Sequence, residues 1–404
     1  MKPQDFAIEV VKTLQTSGFQ ALWAGGCVRD QLLSRKPKDY DVATSALPDQ
    51  VREVFGFKRT LAIGASFGVI TVLGPKSAGQ IEVATFRKDG GYSDGRRPDS
   101  VEFTDAREDA LRRDFTINGM FFDPVKAEVL DYVQGYDDLQ AELIRAIGNP
   151  HERINEDKLR MLRGIRFAST FQFVIEPETM AAIEKHSHEI DSVSGERIGA
   201  EIRRMLEDVN RIKAVELLRK SKLIQYVIPG AGLLFEDDEE GWSERIDRLS
   251  RLKMNDFCAA AAILLDPLCR KYGLERVNNR WKLSNDEREA IAWIVENFTK
   301  LPSAHEVAWS EVQPLFLNPN IERAIRVAEA CYGNSAGLSF CRARLYWPTE
   351  KLNPPPLING GDLIQMGVEK GPKFKIILDR VRRAQLDGKI VSPDQARDLV
   401  FKSE

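Results

Sequence analysis

Two aspartates, Asp39 and Asp41, stand two residues apart in the run KDYDVATS at 38–45, twelve residues beyond the doublet Gly25-Gly26. On a β-strand, side chains at i and i+2 point to the same face. Two carboxylates there, close to a glycine turn that opens a helix, can hold Mg²⁺ over a triphosphate. That is the chemistry of nucleotidyl transfer. A D-x-D taken alone more often marks a solvated turn or cap, and Gly-Gly a plain turn. Here β-branched residues follow the second aspartate, and the glycine turn lies just upstream.

The elements around the pair must make a strand and a helix start. ALWAGG (21–26) reads as a short buried strand ending in a glycine turn, and CVRDQLLS as the helix that follows. YDVAT (40–44), FGVITVLG (67–74) and QIEVATF (80–86) read as strands from their Val, Ile and Thr content. RKDGGYSDGRRPDS (87–100) reads as a long loop of the kind that is functional or disordered. Beyond about Ala141 the strand signals stop, and the 3.6-residue period runs through EDKLRMLRGIRFAS, ETMAAIEKHSHEI, GERIGAEIRRMLE and the segments after them. NPPPLINGG (353–361) reads as a rigid linker to a small basic helical unit.

Composition sets the outer bounds. A chain of 404 residues, 43% hydrophobic and 29% charged, has the make-up of a soluble globular protein with a sizeable core. Its net charge of −3 names no partner, so any nucleic-acid surface must be local. The five cysteines form no C-x-x-C pair, which argues against a zinc site or disulfide framework and fits a reducing cytoplasm. MKPQDFAIEVVKTLQ reads as an amphipathic helix and not as a signal peptide, and no apolar run approaches the ~18 residues of a membrane span. The four histidines include no His-Asp pair, and His186 and His188 are read as surface or packing residues.

GGCVRD (25–30), DYD (39–41), RRDFTINGM (112–120), DPVKAEVLDYVQGYDDL (123–139), EDKLRMLRGIRFA (156–168) and SGERIGAEI (194–202) occur in order. Together they resemble the motifs of the class II tRNA nucleotidyltransferase and bacterial poly(A) polymerase family, over about the first 220 residues. The stretch 354–390 is similar to the C-terminal segment of the tRNA-modifying members. The resemblance implies an α+β fold: a nucleotidyltransferase head at 1–140, built on a small mixed β-sheet with helices, then an all-helical neck (141–220), body (221–352) and tail (353–404). It implies two Mg²⁺ ions shared by Asp39 and Asp41, with Glu82 either metal-proximal or simply outward-facing. Gly25 and Gly26 would admit phosphate oxygens, with Arg29, fixed by Asp30, adding a bond to the triphosphate. Arg113 would hold the triphosphate, with Asp114 and Asn118 reading the ribose. The alternative for RRDF is a helix start capped by Asp114.

Asp157, Arg160 and Arg163 sit three apart on a helical pattern and so share a face. Such spacing usually means a salt-bridged surface helix. In the family, the Asp and Arg of E-D-x-x-R pair with the edge of the incoming base. A carboxylate accepts from the exocyclic amine of cytosine or adenine, and a guanidinium donates to ring acceptors. UTP and GTP would be rejected because they leave those groups unpaired. Glu156 is expected to orient Arg160 or cap the helix, and Arg163 to place the nucleotide or pack. Ser194 is expected as an N-cap, with Arg197 and Glu201 pairing at i, i+4.

The expected activity is stepwise addition of C, C and A to the tRNA 3′ end from CTP and ATP. Poly(A) polymerases of the family carry a G-R-R-F-R-L-type stretch where this chain reads IGASFGVITV (63–72). Members adding only CC lack the loop that 87–103 resembles, in which Arg87 and Asp94 are the candidate levers. Members adding only A are not separated by any one residue. A silent RNA-binding relative is disfavoured by the complete motif set, and a small-molecule nucleotidyltransferase by the helical body and basic tail. Lys370, Lys373, Lys375, Arg380, Arg382 and Arg383 make that tail a candidate grip on tRNA phosphates. The expected partners are the tRNA acceptor end and elbow, with no membrane and no obligatory protein partner.

Overall fold

A computed structural model of the chain describes residues 1–91, 100–231 and 239–401. It forms two compact units, Met1–Pro229 and Gly230–Glu404. The first holds a seven-stranded sheet of β1 (Ala21–Ala24), β2 (Asp41–Thr44), β3 (Thr60–Gly64), β4 (Val69–Leu73), β5 (Gln80–Thr85), β8 (Phe121–Asp123) and β9 (Glu128–Leu130). Its order is β3-β4-β5-β2-β1-β8-β9. β2 and β5 run parallel, and the other neighbours run antiparallel.

Alternation in β4 and β5 sends Ile70, Val72, Ile81 and Val83 to one face, all buried. Helix α1 (Pro3–Thr16) is the expected N-terminal helix, and it buries Phe6, Val10, Val11 and Leu14. β1 shows no alternation because it is covered on both sides; Leu22 and Ala24 pack with Ala43, Phe86 and Phe121. Full burial of such side chains is worth about 1.5–3 kcal/mol each. On the other face of β4 and β5, Val69, Thr71, Leu73 and Ala84 are half-buried and Glu82 is exposed.

Helix α2 (Gly26–Leu32) follows β1 directly, and α3 (Pro48–Phe55) follows β2. The segment read as a loop at 87–100 has ordered stems instead. β6 (Arg87–Asp89) and β7 (Val101–Phe103) pair antiparallel, because Arg87 and Asp89 are fixed by ion pairs at the base of the hairpin. Then come α4 (Ala106–Leu111), α5 (Gly135–Gln140), α6 (Pro150–Glu156), α7 (Arg160–Phe171), α8 (Pro177–His186) and α9 (Gly195–Glu207).

Head and neck belong to one compact unit: Phe115 bridges to Ala146, Ile147 donates to the Asp114 carbonyl at 3.2 Å, and the rings of Phe115 and Phe167 meet edge-on at 5.9 Å. One expectation changes here: the neck is not wholly helical. β10 (Leu143–Ile144) and β11 (Val174–Ile175) form a two-residue parallel pair, a length too short to show a period in the sequence.

The second unit is helical among its described residues. Phe257–Tyr272, capped by Asp256, buries Ala259 through Ala262 against Asn285–Asn297 and Ile321–Tyr332. The tail helices Gly360–Gln365, Lys373–Leu386 and Pro393–Phe401 close a small core of Leu363, Val381, Ala396 and Val400. No helix among the described residues is long and apolar enough to cross a membrane.

Candidate active site

A cleft of about 510 Å³ opens between the Gly25 turn and α2, the start of β2, the β6 stem, the segment 112–118 and α7. Gly25, Gly26, Arg29, Asp41, Arg87, Arg113, Asp114, Asn118, Asp157, Arg160 and Arg163 line it, as do Asp89 and Phe167, which the sequence did not single out. Gly25 adopts φ +72°, and a Cβ there would come within 2.8 Å of Arg113 Nη1. Glycine is therefore required both for the backbone and for the close approach. It is the N-cap residue of α2, so the free N–H groups of that helix face the cleft.

Asp41 opens β2 and Asp39 precedes it in extended chain; both are exposed. In the parallel register Asp41 is matched with Glu82. Although open to solvent, Asp41 lies on the concave floor of the cleft. That desolvation, with Glu82 beside it and Asp39 nearby, pushes its carboxyl up to about 6, against the pull of Arg113. Among the described residues no hydrogen bond or ion pair reaches the Asp39, Asp41 or Glu82 carboxylates.

Other acids around the cleft are paired with arginine. Asp30 meets Arg29 at 2.7 Å, Asp109 meets Arg112 at 2.7 Å and Arg113 at 2.9 Å, and Asp114 meets Arg163 at 2.6 Å. Asp157 meets Arg197 at 2.7 Å, and Glu156 meets Arg160 at 2.6 Å. The unneutralised set is Asp39, Asp41 and Glu82, which is what a cation site requires. Among the described residues no group of three or more Asp, Glu, His and Cys side chains closes into a cage. Mg²⁺ suits the open arrangement, because it binds through one or two carboxylates and takes phosphate and water oxygens for the rest.

Several expected ligands are already engaged. Arg29 is buried; it donates to Asn118 Oδ1 at 2.5 Å and lies 4.4 Å over the Phe171 ring. Asn118 Nδ2 in turn donates to Asp114 Oδ1 at 3.1 Å. Arg29, Asn118, Asp114 and Arg163 thus form a chain. Phe167 closes it, its centroid 5.4 Å from the Arg29 guanidinium and 5.2 Å from that of Arg163. Burial pushes the Asp114 carboxyl up, but Arg163, Asn118 and the Phe115 N–H outweigh it and hold it at about 2. The capping alternative for Asp114 is thus present, since it accepts from Phe115 N at 2.8 Å. Asp109, also missed, anchors Arg113; its i, i+4 spacing to Arg113 was the available signal.

The segment expected to read the base differs from the helix expected. α6 ends at Glu156 and α7 begins at Arg160, so Asp157 sits in the break with φ −149° and ψ 105°. Asp157 Oδ1 caps this turn, accepting from Leu159 N at 3.1 Å, which is why the periodicity fails there. Arg160 gives Nη1 to the Arg153 carbonyl at 2.9 Å and to Glu156, as expected of Glu156. Its Nη2 donates to the Arg112 carbonyl at 3.3 Å. Arg197 does not pair with Glu201: it holds Asp157, while Glu201 takes Arg166. Ser194 occupies the N-cap position of α9 but its side chain makes no cap bond.

Arg87 lies in β6, bound to Asp89 at 3.0 Å and to the Phe67 carbonyl at 2.5 Å. Asp94 lies outside the described residues. In the tail, Lys370, Lys373, Lys375 and Arg383 are exposed. Arg380 and Arg382 are not free for phosphate. Arg380 donates to the Leu399 carbonyl at 2.8 Å, and Arg382 donates to the Pro354 carbonyl and to Asn353 Oδ1, each at 2.6 Å. His186 packs, half-buried, with its ring nitrogens 3.0 Å from His151 and 2.5 Å from Glu189.

A glycine helix start facing anchored arginines, beside carboxylates that no described residue pairs, defines a nucleotidyltransferase head. The family model described as Poly A polymerase head domain matches residues 21–145, and that described as the probable RNA and SrmB-binding site of polymerase A matches 172–233. A CCA-adding enzyme of Lactobacillus johnsonii is 31% identical over 405 residues, covering 98% of this chain and 96% of its own. One of Enterococcus faecalis is 40% identical over 264 residues, 61% of this chain and 64% of its own. The crystal structure of the Bacillus stearothermophilus CCA-adding enzyme in complex with CTP superimposes with a TM-score of 0.81 at 26% identity, covering 99% of this chain and 98% of that one. The chain belongs to the class II nucleotidyltransferase family, among its CCA-adding enzymes.

Proposed function

We propose that this chain adds C, C and A in turn to the 3′ end of tRNA from CTP and ATP, releasing pyrophosphate and using no nucleic-acid template. The observation that carries the reading is the meeting, in one cleft, of Asp41, the Gly25 helix start and the Asp157–Arg160 pair. Asp39 and Asp41 would hold Mg²⁺, with Glu82 alongside. Bound there, the metal would lower the pKa of the RNA 3′-hydroxyl and neutralise the departing pyrophosphate.

The chain's own groups do the rest. The N–H groups at the start of α2 and the Arg113 guanidinium bind the triphosphate. Asp109, beneath Arg113, fixes its orientation. Asp157 accepts from the exocyclic amine shared by cytosine and adenine, and Arg160 donates to ring acceptors. Because Arg197 and Glu156 already lock these two side chains, a base with the opposite donor pattern meets groups that cannot turn away. Arg29 and Asn118 act as positioning residues behind Arg163 and Asp114. In the tail, Lys370, Lys373, Lys375 and Arg383 are the RNA-facing cations. All five cysteines are free thiols, which suits a reducing cytoplasm.

The test is single-nucleotide tailing with Mg²⁺ and tRNA transcripts ending at the discriminator base, after C, or after CC. Termination after C-C-A on the shortest transcript is the expected outcome. Long A tails would make the chain a poly(A) polymerase. Stalling at CC, or A addition only to the CC-ended RNA, would make it a partial enzyme.

A further inference from the structure

Lys158 lies in the break between α6 and α7, next to Asp157. Its side chain is 14% exposed, too enclosed for a solvated lysine. The ammonium has three N–H donors and no acceptor. All three are spent: on the Asn155 carbonyl at 3.2 Å, on Asn155 Oδ1 at 2.8 Å and on Glu189 Oε2 at 2.9 Å. Asn155 is in the last turn of α6, where carbonyls lack a helical partner. Lys158 therefore caps the end of α6 and ties it to the short turn Ser187–Ser192.

Glu189 turns its other oxygen, Oε1, to His186 Nδ1 at 2.5 Å. Burial pushes the Glu189 carboxyl up, but His186 and Lys158 outweigh it and hold it at about 2. A carboxylate only accepts, so His186 carries a proton on Nδ1. Its opposite nitrogen, Nε2, lies 3.0 Å from Nδ1 of His151, in the first turn of α6. His151 and Lys158 are seven residues apart, close to two helical turns, and so bracket α6 on one face. His151, His186, Glu189 and Lys158, with the helix between the first and the last, close a ring. Both ends of α6 are thereby tied to one corner, where α8 ends.

We propose that this ring makes Lys158 and Glu189 positioning residues that set which base the cleft accepts. The inference rests on the base-reading role given above to Asp157 and Arg160. Neither Lys158 nor Glu189 lines the cleft. Their hold on α6 nevertheless fixes both readers. Asp157 directly follows the helix, and Arg160 is bound by the Arg153 carbonyl at 2.9 Å and by Glu156 at 2.6 Å, both on its last turn. Arg197 holds the Asp157 carboxylate while Glu189 holds the ammonium of the next residue, so the break is clamped at two adjacent positions by opposite charges. A strut held in this way leaves a mismatched base against groups that stay unpaired. A misplacement of about 1 Å is enough to undo such a fit.

The experiment measures incorporation of UTP relative to CTP by the full chain with Mg²⁺, on tRNA ending at the discriminator base. Glu189→Gln and Lys158→Met should each raise this ratio about fivefold. Lys158→Arg still offers a cation to Glu189 and should keep the unmodified ratio. Combining Glu189→Gln with Lys158→Met should raise it no further than either alone, as for partners in one contact. His151→Ala opens the ring on the side away from the break and should raise the ratio as well, which keeps the test decisive if a Glu189 or Lys158 variant does not fold. A ring that served stability alone would lower the melting temperature and slow both nucleotides alike. An unchanged ratio in Glu189→Gln, Lys158→Met or His151→Ala, or effects that multiply in the double variant, would overturn the proposal. Asp157→Ala tells the two readings apart. Lost discrimination there, with the ring variants keeping theirs, overturns the ring alone. Equal base choice by Asp157→Ala and the unmodified chain overturns base reading by Asp157 and the ring together.

Discussion

Asp41 and Glu82 lie side by side across the parallel pair β2–β5, with no ion pair on either carboxylate among the described residues. Two like charges at adjacent register positions repel. Desolvation on the cleft floor and Glu82 raise the Asp41 carboxyl from 3.8 to about 6. The folded state thus favours the neutral form. This contribution to stability is fully present below about 3.8 and is lost as pH rises through about 6. At pH 7 without metal, Asp41→Asn should therefore melt higher than the unmodified chain, by about 2 °C or more. The same variant should lose at least about a hundredfold in nucleotide incorporation and show no melting shift on adding Mg²⁺. Thermal melts in chelator and in Mg²⁺ check both. A lower melting point in chelator would mean that Asp41 serves the fold and not a cation.

Asp114 has the opposite sign. Its carboxyl is held down from 3.8 to about 2, so its stabilisation is present above about 3.8 and lost as pH falls through about 2. The acid and Arg163 are both largely buried, with 10% and 32% of their side chains exposed. Asp114→Asn should cost about 2 kcal/mol or more at pH 7, since it also strands the Arg163 charge. The gap between variant and unmodified chain should narrow as pH drops below about 4. Denaturant titrations at pH 7 and pH 3 measure this, and a gap that does not depend on pH would remove the ion pair as its cause.

The sequence made the reacting groups legible because they lie in short local runs. The glycine doublet, D-x-D and E-D-x-x-R each hold their candidate groups within six residues, and the cleft brings Gly25, Gly26, Asp41, Asp157 and Arg160 together. What it hid were partners chosen by the fold. Arg197 lies 40 residues from Asp157, and its own helix offered Glu201 as the nearer acid. The break at Asp157 was invisible because apolar periodicity continues through it, whereas one side-chain cap is enough to stop the helix. Composition marked the tail as basic, but it does not say which guanidiniums are tied to carbonyls. Asn118 read as a ribose ligand, and its two amide atoms turn out to be shared between Arg29 and Asp114.

Arg197 fixes both oxygens of Asp157, at 3.1 and 2.7 Å, and so determines which lone pairs remain for a base. Arg197→Ala would leave Asp157 with the Leu159 N–H and freedom to rotate. Incorporation of UTP relative to CTP should then rise about tenfold, with tRNA affinity unchanged. Glu201→Ala removes the partner of buried Arg166 instead, so it should lower stability without a specific change in base choice. Competition assays with paired nucleotides, run beside melting curves, distinguish the two. Equal selectivity in Arg197→Ala and the unmodified chain would mean that Asp157 does not read the base.

The six basic residues expected to grip RNA in the tail divide by what their charges already touch. Lys370, Lys373, Lys375 and Arg383 are exposed, whereas Arg380 and Arg382 hold carbonyls at 2.8 and 2.6 Å. A charge that neutralises a phosphate releases a counterion, so each such contact adds about one unit to the slope of log affinity against log salt. Lys373→Gln and Lys375→Gln together should flatten that slope by about two units and leave the melting curve alone. Arg382→Gln should do the reverse: it releases the Pro354 carbonyl and Asn353, loosening the packing of the tail while the salt slope keeps its value. Filter binding of tRNA across a salt series, with melts of the same proteins, separates the groups. A slope that falls with Arg382→Gln but not with the lysine pair would move the RNA contact to the other face of the helix Lys373–Leu386.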